Sequence, residues 1–158
     1  MIQPPVNARP FATPRVAAGA LFVDDQDRVL MLRPTYKAYW DIPGGYVEGG
    51  ESPLDACMRE VREEIGLDIR VTELLAVDWA PHPDEGDKVL FIFEGGRLSP
   101  EQLDAIRFVD GEAREWSFVD MERLQDLTIP RLSRRIREAL RAHKSARAVY
   151  LQEGLAPA

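Results

Sequence analysis

The chain has almost no cysteine. Of 158 residues only Cys57 is one, so no internal disulfide can form, and this fits a reducing compartment. It has no long apolar run. None approaches the roughly 20 residues that span a bilayer, which argues against a membrane protein. The opening stretch MIQPPVNARPFATPR has no hydrophobic signal core, so export is not expected and a cytoplasmic location is. Positive charge is short as well. The net charge is −7, which argues against a general nucleic-acid binder. There is no internal repeat and no low-complexity segment.

What remains is ordinary for a globular protein, 45% hydrophobic and 30% charged, and the length suits a single core. The charge is unevenly spread. Arg131–Arg147 holds seven Lys/Arg and one Glu, a net of +6, which leaves −13 elsewhere. An acidic body facing an anionic substrate needs intervening cations. The basic stretch itself carries Leu132, Ile136 and Leu140 at helical spacing. We read it as a helix docked by that stripe rather than as a binding surface.

The richest segment is Gly45–Leu67, GYVEGGESPLDACMREVREEIGL. Ser52 is a good N-cap, Pro53 suits the first helical position, and Asp55 stands three after the cap. Leu54, Met58, Val61 and Ile65 form an apolar stripe, with Cys57 beside it as a small core residue. Gly66 follows at the place of a left-handed cap. The spacing predicts a helix over Pro53–Ile65. On it Glu60, Glu63 and Glu64 fall at i, i+3 and i+4, within about 60° of Glu60 on either side. Like charges so placed oppose each other by about 0.2–0.5 kcal/mol per pair. A hard divalent cation turns that repulsion into ligation. Upstream, Ile42-Pro43-Gly44-Gly45 and Glu48-Gly49-Gly50 make a loop that lets backbone approach a ligand closely.

This segment resembles the Nudix box, G-x5-E-x7-R-E-U-x-E-E-x-G-U with U aliphatic. Gly45, Glu51, Arg59, Glu60, Val61, Glu63, Glu64, Gly66 and Leu67 fill every specified position. The resemblance implies an α+β Nudix fold, a mixed sheet between helices (α/β/α), and a pyrophosphohydrolase using Mg²⁺ or Mn²⁺. It casts Glu60 and Glu64 as the principal metal ligands, and Glu63 as a further ligand or the water-activating base. The Gly44 carbonyl completes the coordination, and Glu51 and Arg59 form a pair that orients the loop. Glu112 or Glu115 would add a carboxylate from outside the box, Glu112 fitting better. The substrate implied is a nucleoside diphosphate linked to another group. ADP-ribose or a nucleotide-sugar is favoured over an oxidised nucleoside triphosphate, and a non-catalytic nucleotide-binding module is the alternative of another class. Family members are often dimers, so a homodimer is the oligomer implied. Trp79 and His82 are candidates for the substrate's other half, Arg33 and Lys37 for its phosphates. Trp40 and Trp116 read as core and His143 as surface.

For the rest of the chain we expect an extended arm over 1–14, the Nudix domain over 15–145 and a tail over 146–158. Strands are expected at Arg15–Val23 and Arg28–Arg33, joined as a hairpin, and at Tyr39–Ile42, Arg70–Ala80, Lys88–Glu94 and Arg114–Val119. Short helical turns are expected at Ser99–Ile106 and Met121–Leu124, and the second long helix at Arg131–Ala142.

Overall fold

The computed structural model describes residues 11–71 and 73–158. In chain order the elements are β1 (Arg15–Phe22), β2 (Val29–Pro34), β3 (Gly44–Tyr46), α1 (Pro53–Ile65), β4 (Leu74–Trp79), β5 (Lys88–Gly96), α2 (Pro100–Asp104), β6 (Ala113–Val119), α3 (Met121–Leu127), α4 (Pro130–Ser145) and β7 (Val149–Gln152). A five-stranded sheet runs β3-β1-β5-β4-β7, and β2 and β6 form a separate antiparallel pair. The large sheet is mixed: β1/β5 and β4/β7 are parallel, β1/β3 and β4/β5 antiparallel.

Strand alternation builds two cores. Ala18, Ala20 and Phe22 of β1 join Ala56, Cys57, Val61 and Ile65 of α1. Leu21 and, just past the strand, Val23 face the other way, into a cluster with Leu132, Ile136, Ala139 and Leu140 of α4. Helices on both faces of a mixed sheet are the expected α/β/α arrangement. The β2/β6 pair links the cores: Leu30 and Leu32 belong to the α1 side, Val29 and Met31 to the α4 side.

The helix signals translate into structure. The Ser52 hydroxyl accepts the Asp55 amide at 3.1 Å, and Gly66 closes α1 at φ 72° with its N–H on the Arg62 carbonyl. The box at this end is only half made. The Asp55 side chain is too short for the Ser52 amide and accepts the Ser52 hydroxyl instead, at 2.7 Å. At α2 the longer Gln102 makes both bonds with Ser99.

Four expectations need correction. The β1–β2 hairpin reduces to one bridge, Val23–Val29, because the Asp24–Arg28 turn hands the chain from one sheet to the other. Tyr39–Ile42 is not a strand; Asp41 makes a lone bridge to Leu32, and it is the glycine loop, Gly44–Tyr46, that pairs with β1. The residues after 146 are more than a tail, since they supply β7, parallel to β4. His143 is not simply surface: its Nδ1 lies 2.6 Å from Glu94 Oε2, with both side chains mostly covered. Of the expected arm, residues 1–10 lie outside the described residues, and 11–14 carry no regular structure.

Candidate active site

The glutamates come together where α1 passes β3. Their burial is graded by position round the helix, at 7% exposure for Glu64 and side-chain exposures of 13% for Glu60 and 49% for Glu63. Two glycines let the strand backbone meet them. The Gly44 amide donates to Glu64 Oε1 at 2.7 Å. A Cβ on Gly45 would fall 2.5 Å from the Glu60 carboxylate carbon, so any side chain there would displace that carboxylate.

Arg59 ties the loop to the helix. Its Nε and Nη2 donate to the two Glu51 oxygens at 2.7 and 3.0 Å, the two-pronged geometry that suits a carboxylate. Nη2 also donates to the Tyr46 carbonyl at 3.0 Å, fixing the end of β3. Nη1 donates to Glu60 Oε1 at 2.8 Å and to Glu63 Oε2 at 3.1 Å. Glu51 in turn accepts the Glu48 amide at 3.0 Å.

Burial raises the Glu64 carboxyl to about 9, against the lowering effect of the Gly44 amide. Burial raises Glu60 too, opposed by Arg59. Glu51, hydrogen-bonded to Arg59, is held below the ordinary carboxylate value, and Arg59 is raised in return. Among the described residues no three acids, imidazoles or thiols converge tightly enough to cage an ion as they stand. Glu60 and Glu63 share the Arg59 nitrogen, and Glu64 is engaged by Gly44. The donor set nevertheless fits a hard divalent cation. It is all oxygen, it sits against glycine backbone, and it includes a carboxyl that burial raises to about 9.

Gly44, Gly45, Arg59, Glu60 and Glu63 form one end of a cleft of about 850 Å³. Along its walls stand Lys37, Tyr46, Glu112, His82 and Arg131. Of the expected substrate residues, Lys37 and His82 therefore reach the cleft, whereas Arg33 and Trp79 are not among its lining. Arg33 instead pairs with Glu115 across β2 and β6 at 3.3 Å; Glu112, and not Glu115, is among the cleft lining. Lys37 is paired with Asp41 at 2.5 Å under the Tyr39 ring. Burial pulls its amine down, but the Asp41 charge outweighs that and holds it above its usual value. Trp40 and Trp116 are half-buried against the two cores.

Sequence reasoning missed Tyr46, Asp41 and the α4 arginines at the cleft. Tyr46 lay inside the box, and its hydroxyl donates to Glu85 Oε2 at 2.8 Å. The same Glu85 oxygen pairs with Lys88 across the loop after β4, and Arg131 donates to the Pro81 carbonyl at 2.9 Å to hold that loop against α4. Cys57 is fully buried and its thiol is pushed up to about 12, so it takes no part.

The NUDIX domain family model matches residues 13–142. An ADP-ribose pyrophosphatase of Methanocaldococcus jannaschii is 32% identical over 126 residues, 75% of this chain and 69% of that protein. An RNA pyrophosphohydrolase of Psychrobacter cryohalolentis is 39% identical over 67 residues, only 41% of this chain and 39% of that protein. The solved MutT protein of Methanosarcina mazei Go1 has a similar fold, with a TM-score of 0.68 at 23% identity, covering 85% of this chain and 99% of that one.

Proposed function

Because the chain belongs to the NUDIX family of pyrophosphate-cleaving hydrolases, we propose that its substrate is a nucleoside diphosphate linked to a sugar, of the ADP-ribose or nucleotide-sugar type. The observation that carries this reading is the cleft. Its acidic end holds Glu60 and Glu63, and it continues to α4 with a volume of about 850 Å³, room for groups on both sides of a diphosphate. The archaeal relative's name supports the same class. The net charge of −7 disfavours RNA, the substrate named for the shorter match.

In this reading Glu60 and Glu64, with the Gly44 carbonyl, would hold Mg²⁺ or Mn²⁺, and Glu112 would add a carboxylate from β6's end of the cleft. Bound divalent cations neutralise non-bridging phosphate oxygens and acidify a water. The chain's own groups do the rest. Arg59, anchored by Glu51, aims the Glu60 and Glu63 carboxylates from the loop side. Glu63 is the most open of the three and is the group placed to take a proton from the attacking water. Oxygen of that water bonds to one phosphorus as the bridging P–O bond breaks. The bridging oxygen leaves on the other phosphate, giving a nucleoside monophosphate and a sugar phosphate. Lys37 stands at the cleft to meet phosphate oxygens.

The test is a panel with Mg²⁺ or Mn²⁺ of ADP-ribose, UDP-sugars, dinucleoside polyphosphates, oxidised nucleoside triphosphates and 5′-triphosphorylated RNA, read by product identity. Fastest turnover of a nucleotide-sugar, with monophosphate products, is expected. Fastest turnover of the triphosphates with release of pyrophosphate would overturn the substrate class. Binding with no product from any of them would point to a sensor instead.

A further inference from the structure

The α4 end of the cleft carries a donor that the fold leaves unmatched. Arg135 lines the cleft with its side chain only 9% exposed. Its Nε donates to Oδ2 of Asp78 at 2.5 Å, the single hydrogen bond its side chain makes among the described residues. Its Nη2 is buried without a partner, and Nη1, which makes no hydrogen bond among the described residues either, is the end of the fork that keeps accessible surface. Asp78, fully buried on β4, uses its other oxygen to accept the Gly154 amide at 3.1 Å.

Buried polar groups in folded proteins nearly always have partners, and a guanidinium presents five donors in a planar fork. The exception stands on a wall of the cleft that also holds the glutamates. We propose that Arg135 reads a neutral acceptor edge, the hydroxyl oxygens of a sugar, on the non-phosphate half of the substrate, and so determines specificity. This rests on reading the cleft as the diphosphate site. Charge selects the kind of group. Asp78 already balances the guanidinium, so an anionic substrate group would place a second negative charge beside the first in a dry environment, whereas a neutral acceptor completes the fork without it. Both Asp78 oxygens are engaged, by Arg135 and by Gly154, so the fork is set before substrate arrives.

The test is Arg135→Lys, which keeps the charge opposite Asp78 but loses the fork. KM and kcat are measured for ADP-ribose and two analogues, one with methyl in place of the terminal ribose and one carrying 2′,3′-dideoxyadenosine. KM for ADP-ribose should rise about tenfold, the worth of one or two lost hydrogen bonds, with kcat nearly unchanged. The analogue lacking the group that is read should show the same KM in variant and wild type. An equal rise for all three substrates, or none, overturns the proposal. The double variant Asp78→Asn, Arg135→Gln keeps a neutral hydrogen-bonded pair; it should melt near wild type and repeat the KM pattern. If wild type turns over none of the three, the substrate reading has failed, and calorimetry with AMP and ribose 5-phosphate then tests Arg135 alone. Affinity about tenfold weaker in Arg135→Lys supports its role. Equal affinity, or no binding to wild type, ends it.

Discussion

Arg59 spends its guanidinium on four acceptors, two oxygens of Glu51, one of Glu60 and one of Glu63, and on the Tyr46 carbonyl besides. The acidic end is therefore a balance of charge held by one cation, with glycine backbone pressed against it. Gly45→Ala puts a Cβ into the Glu60 carboxylate, which is the movable end of a side chain. Melting should change little, while kcat/KM falls about a hundredfold from a displacement of about 1 Å. A large loss of stability with normal specific activity would contradict this. Glu64 gives a second outcome. Its folded-state value of about 9 lies above the ordinary carboxylate value. In the metal-free protein the stabilisation tied to its proton is thus complete below about pH 4.5 and is lost as pH rises through about 9. Binding of Mg²⁺ or Mn²⁺ at pH 7 should release about one proton, measured by calorimetry in buffers of different ionisation heat. Release should vanish above pH 9 and in Glu64→Gln. The placement of these residues was legible at residue scale because the box lists them by type and spacing. The opposite holds for Arg135 and Asp78, which lie 57 positions apart in no motif.

Among the elements, α1 was readable to its last residue, because its cap, stripe and closing glycine all lie within the segment itself. β7 was not, since four residues with little alternation become a strand only when β4 offers an open edge. That segment now has a measurable role. A Cβ on Gly154, which has φ 77°, would meet the Arg131 carbonyl at 2.7 Å and the Arg134 Cβ at 2.9 Å. Gly154→Ala should cost about 1–3 kcal/mol in urea unfolding, and an unchanged midpoint would show that the chain end is not docked on α4. The loop between β4 and β5 is held by a carboxylate. Hydrogen bonds from Lys88 and then Tyr46 bring Glu85 down to about 2. A depressed folded value means that this contribution is present above the ordinary carboxylate value and is lost as pH falls through about 2. Carbon-13 NMR should follow Glu85 titrating near 2 in wild type and higher in Tyr46→Phe; equal midpoints would remove Tyr46 from the loop's support.

For the molecule as a whole, two cores on opposite faces of one sheet leave the cleft between α1's acidic edge and α4's basic one. Saturating Mg²⁺ or Mn²⁺, at about a hundred times its dissociation constant, should stabilise by about 2.7 kcal/mol and raise the melting temperature by about 5–10 °C. EDTA should reverse this and Glu60→Gln abolish it; the same shift in Glu60→Gln would place the ion elsewhere. The sequence by itself determined that Glu60, Glu63 and Glu64 share one helix face, because that needs only local spacing, and α1 supplies that spacing alone. It also gave the class of the fold through strand order and the two apolar stripes. Tertiary structure decided the rest: which outer glutamate faces the cleft, Glu112 rather than Glu115, and which cations the fold consumes internally. It also brought Asp78, Arg135 and Gly154 together. The physical reason is that a contact between distant segments depends on which sheet edge each strand joins, and hydrogen-bonding edges carry no signature in the local residue pattern.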